Sequence, residues 1–314
     1  MKIVVAGAQG KLGKLIVEAL HARSKAKGQD VQIVGLARRK DDQSSASGVV
    51  ATDYSEQELA RLCEGAHTVV SALQGLEDVI VGVQSSLLRA AIACKVSRFI
   101  PSDFSLDFTN LPDGLNRNLD LRRHFHREAE AIIAQTGSRI QLTSLYQGGF
   151  TELLASGWVV FNYEKRQVVY FGQPDAPSAY TTWKNTAEYT AAVAMDANET
   201  PRSLHIAGTC LTPQEAVDVA KRATGADFAL SKPMPLWALR AVIVLLRFFK
   251  PGEPGDLMPI WQGMQYAYCG ALPEAAPKKE LDNDRYDGIE WTGPEQIVQE
   301  AFKQHAEKME AKQA

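Results

Sequence analysis

The chain has 314 residues, of which 45% are hydrophobic and 23% are charged, and its formal net charge is −3. This length and composition predict a globular protein with a large core, and the lack of a basic excess argues against a nucleic-acid-binding surface.

The four cysteines form no C-x-x-C pair, and the six histidines show no H-x-x-x-H or H-E-x-x-H spacing. We therefore expect neither a disulfide framework nor a metal site. The N-terminus enters an apolar strand directly, without a signal-peptide pattern, which favours a cytoplasmic location.

Apolar runs alternate with helical patterns over the first 150 residues. The runs are short and almost continuously apolar, as expected of strands that helices cover on both faces. This alternation predicts an α/β fold, a doubly wound parallel sheet of the Rossmann type. The predicted strands are 2–8, 31–37, 48–53, 67–73, 97–102 and 140–146, and the predicted helices are 11–25, 55–64, 77–94 and 118–135.

The pattern loosens after residue 150. A hairpin is predicted at 157–172 and a helix at 185–197, and Thr212, Pro213 and Glu215 form a capping-box signature for a helix that ends near Gly225. We predict a Rossmann domain over 1–150, to which segments of about 180–210 return. A smaller, mostly helical substrate-binding region would occupy 151–314.

The longest apolar run, PLWALRAVIVLLRFFKPG, covers residues 235–252. Arg240 and Arg247 interrupt it, so it is too short for a membrane-spanning helix, which needs about 20 largely apolar residues. We predict a helix at 235–250 that covers an apolar pocket or contacts a partner, such as a second copy in a homodimer. Peripheral membrane contact is the alternative.

Three glycines follow the first predicted strand in VVAGAQGKLG. Gly7, Gly10 and Gly13 lie between a strand and a helix, where such a turn lets backbone N–H groups approach a pyrophosphate at the helix N-terminus. We predict dinucleotide binding; a glycine-rich turn that only packs is the alternative. The predicted contacts also include the neighbouring loop residues Gln9, Lys11 and Leu12.

The second predicted strand ends in GLARRK. NAD sites usually carry an Asp or Glu here for the ribose 2′-hydroxyl, whereas this chain has Arg38 and Arg39, which suit a 2′-phosphate. The sequence therefore favours NADP(H), although a solvated charge run is the alternative. Asp53, after the third strand, is predicted near the adenine. The central part of the cofactor is predicted to contact the end of the fourth strand, at Ser71, Ala72, Leu73 and Gln74.

These segments together resemble the NmrA-like and isoflavone-reductase-like branch of the atypical short-chain dehydrogenases. The resemblance rests on GAQGKLG, VVSALQG, CKVSRFIPSDFS, TSLYQGGF and YTTWKNTAEYTAAVA, and covers most of residues 1–200. It implies a Rossmann fold and either of two functions. The family contains NADPH-dependent reductases of phenylpropanoid-type aromatic substrates, and regulators that bind dinucleotide without known catalysis.

One departure from the family pattern concerns catalysis. The resemblance implies a lysine acid/base at the start of the helix before the sixth strand, and Arg122 takes its place. Arginine stays protonated at neutral pH, so it orients or polarises a group but is a poor proton shuttle. His126, one helical turn on, is the alternative proton-transfer residue. An ordinary charged helix face explains both residues equally simply.

Further candidates lie at the ends of the fifth and sixth strands. Ser102 is predicted to face the nicotinamide or substrate, and Asp103 either does the same or caps the next turn. Tyr146 is a third catalytic candidate, since it and Gln147 could hydrogen-bond cofactor or substrate; a wall residue is the alternative for Tyr146. Phe150 could pack on the nicotinamide or in the core.

Three residues with suggestive positions are interpreted as structural. Tyr180 and Lys184 match a Y-x-x-x-K spacing, but they follow a predicted hairpin, so we interpret them as a structural junction. His205 is interpreted as a core or edge residue of its strand.

Two functions follow from these features. The first is an NADPH-dependent reductase of a small apolar, aromatic or carbonyl substrate, with an apolar pocket lined by the Trp-, Met- and Phe-rich C-terminal part. The second is a non-catalytic NADP(H) sensor that signals to a protein partner, consistent with the missing lysine.

Overall fold

A computed structural model describes residues 1–38, 48–155 and 160–313 of the chain. Six parallel strands form its main sheet in the order β3-β2-β1-β4-β5-β6, which confirms the predicted doubly wound fold. Arg39 lies outside the described residues. The elements of this part are β1 (Lys2–Ala6), α1 (Lys11–Lys27), β2 (Gln32–Ala37), β3 (Val49–Ala51), α2 (Glu56–Cys63), β4 (Thr68–Ser71), α3 (Gln84–Ala93), β5 (Arg98–Ile100), α4 (Arg117–Thr136) and β6 (Gln141–Leu142).

Among the residues described after β6, the strands form three small sheets, and further helices accompany them. β7 pairs with β12, β11 lies between β13 and β8, and β10 lies between β14 and β9. The elements are β7 (Ser144–Tyr146), β8 (Gly149–Phe150), α5 (Thr151–Ala155), β9 (Phe161–Asn162), β10 (Gln167–Val168), β11 (Ser178–Thr181), α6 (Trp183–Ala194), β12 (Ser203–His205), β13 (Thr209–Leu211), α7 (Pro213–Thr224), β14 (Ala229–Leu230), α8 (Leu236–Phe249), α9 (Ile260–Gly270) and α10 (Pro294–Gln313).

The main sheet is buried on both faces, which explains its continuously apolar strands. Because side chains alternate along a strand, Ile3 and Val5 of β1 pack into a core with α1 and α6, while Val4 and Ala6 pack into a second core with α2, α3 and α4. All four side chains have no exposed surface. The helix–sheet–helix layering thus fixes where the strands end, and so where a ligand cleft can open.

The predicted strand 140–146 is split where its pairing partner changes. β6 pairs with β5, whereas β7 pairs in parallel with β12. Thr143 lies between them and donates its backbone N–H to the Phe99 carbonyl. Because β12 joins at this edge, and α6 packs on α1, residues after 180 contact the N-terminal sheet. The domain boundary at residue 150 stays a prediction.

The predicted helix 77–94 begins with a π-helical segment, Asp78–Val83, before α3. Its wider register leaves the Ile80 carbonyl without the usual α-helical donor. The Gln84 side chain supplies one, since its Nε2 donates to that carbonyl at 3.1 Å. The same amide accepts from the Ser102 N–H through Oε1 at 2.9 Å. This buried residue therefore ties the π-helical segment to the end of β5.

Sequence signals for the later elements are largely confirmed. β9 and β10 pair antiparallel as the predicted hairpin, and Thr212 and Glu215 form the capping box of α7, which ends at Gly225. The helix predicted at 185–197 begins earlier, at Trp183, because the Thr182 hydroxyl caps it by accepting from the Asn185 N–H.

Helix α8 buries one face and exposes the other. Leu239 and Ile243 are buried, whereas Trp237 and Phe248 are 76% and 79% exposed. Within the described ranges, no helix has both the length and the apolar character needed to cross a bilayer. A homodimer or protein partner at this face stays a prediction.

Candidate functional site

A cleft of about 1470 Å³ opens beyond the carboxyl ends of β1, β2, β4 and β7. The glycine turn and the start of α1 form one end, and residues of α9 form part of the opposite wall. Open α/β sheets bind ligands at this edge. The cleft is large enough for a dinucleotide and a second small molecule.

The glycine turn leaves no room for side chains at two of its three positions. Gly7 has φ +77°, and a Cβ there would lie 2.5 Å from the Ala72 carbonyl oxygen. A Cβ at Gly13 would lie 2.1 Å from the Gly7 carbonyl oxygen. Gly7 therefore lets the turn pass close to the end of β4, and Gly13 lets α1 pack against the turn.

The N-terminus of α1 lines the cleft through Gly10, Lys11 and Leu12, and Gln9 lies beside it. Gly10 is the N-cap and supplies no side-chain hydrogen bond. The first N–H groups of a helix carry partial positive charge and favour an anion. Gly13 packs behind this surface. The turn therefore fits the diphosphate of a dinucleotide.

A cation and an aromatic ring flank this helix start. The Lys11 Nζ lies 3.0 Å from the centroid of the Trp183 ring, and the Phe150 ring packs against the same indole at 5.3 Å. The Glu152 carboxylate accepts from the Trp183 N–H. Burial lowers the pKa of Lys11 and raises that of Glu152. This group holds Lys11 and Phe150 at the cleft wall.

Only one of the two predicted arginines can be placed. Arg38 follows β2 and lines the cleft, whereas Arg39 falls outside the described ranges. Asp53 does not line the cleft; its carboxylate accepts from the Ser55 N–H. Hydrogen bonding from the Ser55 side chain, and then from its N–H, lowers the pKa of Asp53. Tyr54 lines the cleft instead, and its hydroxyl accepts from the Gly7 N–H at 3.3 Å.

The end of β4 supplies the cleft floor. Ala72, Leu73 and Gln74 line it, while Ser71 is buried within the strand. Ser102 lines it too, and its hydroxyl donates to the Leu73 carbonyl at 2.7 Å. Neighbouring strand ends are thus held together at this point.

Arg122 also lines the cleft and is held by backbone carbonyls. Its Nε donates to the Ser102 carbonyl at 2.9 Å, and its Nη1 donates to the Asn118 carbonyl at the same distance. Gln147 lies nearby, buried, with its amide donating to the Gly148 carbonyl. The fixed guanidinium can orient or polarise a bound group but is a poor proton donor.

His126 does not line the cleft. Its Nε2 lies 2.6 Å from Oδ2 of Asp103, a carboxylate with no exposed surface. Burial alone would raise the pKa of Asp103, but the charge and hydrogen bond of His126 lower it. Neither residue lines the cleft, so the geometry favours a structural role over the predicted proton transfer.

Tyr146 lines the cleft at the end of β7, but its hydroxyl is buried. The Tyr146 Oη finds no hydrogen-bond partner among the described residues. Burial is the main cause that raises its pKa, and the charges of Asp103 and Asp107 raise it further. Its ring contacts Phe108 at 5.4 Å and His205 at 5.2 Å. The ring is a wall between two His–Asp pairs.

The second of these pairs was missed from the sequence. His205 ends β12, and its Nε2 lies 3.0 Å from Oδ2 of Asp107; both residues line the cleft. The Lys278 Nζ lies 3.7 Å from the same oxygen. Position at a strand end was the available signal, because ligands bind at that edge, but nothing local linked His205 to a carboxylate.

The Y-x-x-x-K spacing does not form a joint site. Tyr180 belongs to β11 and lines the cleft, whereas Lys184 lies in α6, 69% exposed, with its Nζ 3.8 Å from Glu188.

Within the described residues, no group of three or more His, Cys, Asp or Glu side chains could hold a metal ion.

The NmrA-like family matches residues 1–240, three quarters of the chain and the whole glycine turn. The chain belongs to the NmrA-like family. This confirms the resemblance drawn from the sequence.

Several known proteins are similar to this chain in sequence or in structure. The protein named Oxidoreductase aprR, of Aspergillus flavus, is 29% identical over 165 residues, which are 52% of this chain; the match spans about half the relative's length, 53%. An isoflavone reductase crystal structure has a TM-score of 0.74 at 17% identity, covering 95% of this chain and 98% of the other. A structure described as AtPrR2 with NADP⁺ and (+)pinoresinol has a TM-score of 0.73 at 18% identity, with 96% and 98% coverage. At these identities the structural matches show the fold alone.

Proposed function

We propose that this NmrA-like protein is an NADP(H)-dependent oxidoreductase that reduces a small, largely apolar compound, aromatic or carbonyl-bearing. The observation that carries the proposal is the glycine turn: Gly7 and Gly13 have no space for a Cβ, and the start of α1 opens into the cleft. Such a turn at a strand end suits a nucleotide diphosphate. A bound nicotinamide would supply the hydride.

The choice of NADP(H) over NAD(H) rests on charge at the end of β2. Arg38 lines the cleft, whereas Asp53 does not, and its carboxylate accepts from the Ser55 N–H. A guanidinium pairs with a 2′-phosphate. The NADP⁺-bound relative AtPrR2 supports the same choice by its fold.

Calorimetry on the purified chain tests the cofactor. We expect NADPH to bind at least tenfold more tightly than NADH, because only NADPH has a 2′-phosphate that Arg38 can pair with. Arg38→Ala should weaken NADPH binding about tenfold, near 1.4 kcal/mol, and leave NADH binding unchanged. Arg89→Ala, exposed on α3 outside the cleft, is the matched control. No heat with any nicotinamide nucleotide would contradict the proposal.

The substrate class is supported by the far wall. Apolar and aromatic groups of α9 and its surroundings line the cleft there, among them Leu257, Met258 and Tyr266. NADPH oxidation followed at 340 nm against aromatic ketones, enals and benzylic ethers tests this class. Turnover of at least one member is expected.

A second candidate function is an NADP(H)-dependent regulator. It is favoured by Arg122 in the place of the family lysine and by the exposed apolar face of α8. Tight NADPH binding with no turnover of any panel member would support it. Oligomer sizing with NADP⁺ and with NADPH then decides, since a redox sensor should change its assembly with the cofactor form and an enzyme need not.

A further inference from the structure

Two His–Asp pairs flank Tyr146, and only one of them reaches the cleft. His205 and Asp107 both line it, with side chains 19% and 14% exposed. His205 is the last residue of β12, opposite Tyr146 in the register with β7. The pair therefore sits at the sheet edge where the ligand is expected, on a wall shared with Arg122.

Hydrogen bonds to Oδ1 hold the Asp107 carboxylate in place and leave Oδ2 directed at His205. Its Oδ1 accepts from the Thr109 N–H at 2.9 Å and from the Thr109 hydroxyl at 2.6 Å. Its Oδ2 faces His205 Nε2 and the Lys278 ammonium. Burial would raise the pKa of Asp107, but the hydrogen bonds from His205 and Thr109 hold it well below its usual range. The carboxylate is thus an anion at neutral pH.

This arrangement fixes the tautomer of His205. Because Asp107 is an anion, the Nε2 atom that faces it must carry a proton. Nδ1 is then the ring nitrogen that can exchange a proton with a ligand. Nδ1 makes no hydrogen bond within the part of the chain that the structure describes. The groups facing the ring are Asp107, the aromatic wall of Tyr146, and, beyond the carboxylate, Lys278. Asp282 contacts only the His205 backbone: its carboxylate accepts from the His205 N–H, and its own N–H donates to the His205 carbonyl.

We propose that His205 is the catalytic proton-transfer residue of this cleft, positioned by Asp107, and that it acts on a carbonyl oxygen of the substrate. The proposal rests on the proposed reductase function. Ile206 and Leu281 beside it line the cleft with apolar surface, which suits a substrate whose one polar group is that oxygen.

The proton balance assigns each bond. A bound reduced nicotinamide supplies a hydride, and with it two electrons. As the carbonyl carbon gains that hydrogen, the C=O π pair moves to oxygen. The oxygen takes the proton from Nδ1, so an O–H bond forms and the N–H bond breaks, giving an alcohol and neutral imidazole. Solvent at the cleft returns the proton to Nδ1. Asp107 stabilises the protonated ring before transfer.

Kinetics with the best panel substrate test the role. We expect His205→Asn to lower kcat by about 10²- to 10⁴-fold, the usual contribution of general acid–base catalysis, with NADPH affinity within twofold of wild type. His124→Asn, a 40% exposed histidine of α4, should match wild type. Asp107→Asn should shift the limb of the kcat/KM pH profile that His205→Asn abolishes. Unchanged rate and profile in His205→Asn would overturn the proposal.

Nitrogen-15 NMR of histidine-labelled, cofactor-free protein gives a readout without turnover. We expect the His205 resonances, assigned by their loss in His205→Gln, to show a proton on Nε2, and that preference to weaken in Asp107→Asn. A proton on Nδ1 alone in the neutral ring would overturn the proposal even if reductase activity is found. If no panel member is reduced but the Nε2–H tautomer is present and 4-nitrobenzaldehyde shifts the Nδ1 resonance, the proposed reductase function fails and the placement of His205 against a carbonyl group stands. No shift with this aldehyde would count against His205.

Discussion

The two His–Asp pairs on either side of Tyr146 have the same chemistry and different surroundings. Asp103 has no exposed surface and its histidine lies outside the cleft, whereas Asp107 and His205 are part of the cleft wall. A buried His–Asp pair that a ligand does not reach is a structural contact. The same pair in the wall of a ligand cleft is available for proton transfer. Position relative to the cleft, and not residue type, separates the two.

The largest difference between the pairs is expected in stability. Asp103→Asn places a neutral group without exposed surface beside His126, and removing one member of a buried pair costs about 3 kcal/mol. Asp107→Asn should cost about 1 kcal/mol, because its surroundings are partly solvated and Thr109 can still donate to the amide oxygen. Urea unfolding of the two variants measures both values. Equal losses would break the comparison.

Acid should weaken both pairs. The pKa values of Asp103 and Asp107 are lowered in the folded state, so each carboxylate contributes stability that is present above the unfolded pKa of about 3.9 and lost as pH falls through the folded value. The free energy of unfolding of the wild type should therefore decrease below about pH 4. In urea titrations at pH 2 to 5, Asp103→Asn and Asp107→Asn should each show a shallower decrease. A wild-type slope retained in both variants would show that other carboxylates dominate.

The smallest effect is expected at the wall between the pairs. The Tyr146 hydroxyl is buried without a partner among the described residues, so Tyr146→Phe should leave the free energy of unfolding unchanged or raise it by up to about 1 kcal/mol. Tyr189→Phe is the matched control: its hydroxyl donates to the Asp282 carbonyl at 2.7 Å, and its loss should cost about 1 kcal/mol. Thermal unfolding compares the two. A reductase rate that falls tenfold in Tyr146→Phe would make Tyr146 catalytic, as the sequence suggested.

Sequence reasoning worked best where a local pattern has one physical cause. The glycine spacing, the apolar strands and the capping box of Thr212 each reflect a backbone requirement within a few residues, and the fold and family followed from them. It placed helix starts less well: α6 begins at Trp183 because the Thr182 side chain caps it.

Single-residue roles were harder to predict than elements. Asp53 and Tyr54 are neighbours after β3, yet only the tyrosine lines the cleft, because the Asp53 carboxylate folds back onto the Ser55 N–H. At the end of β4, Ala72 lines the cleft and its neighbour Ser71 does not. Which of two adjacent side chains faces the cleft depends on where the strand ends. Sequence patterns locate the end of a strand only approximately.

The sequence by itself determined the layered sheet and the glycine turn, because each arises from neighbouring residues whose spacing matches a backbone requirement. Tertiary structure alone decided which histidine meets the cleft. His126 and Asp103 are 23 residues apart, whereas His205 and Asp107 are 98 apart, and they come together because β12 pairs with β7 at the far edge of the sheet. Pairing between strands that are so far apart in the sequence produces no periodic pattern of residues.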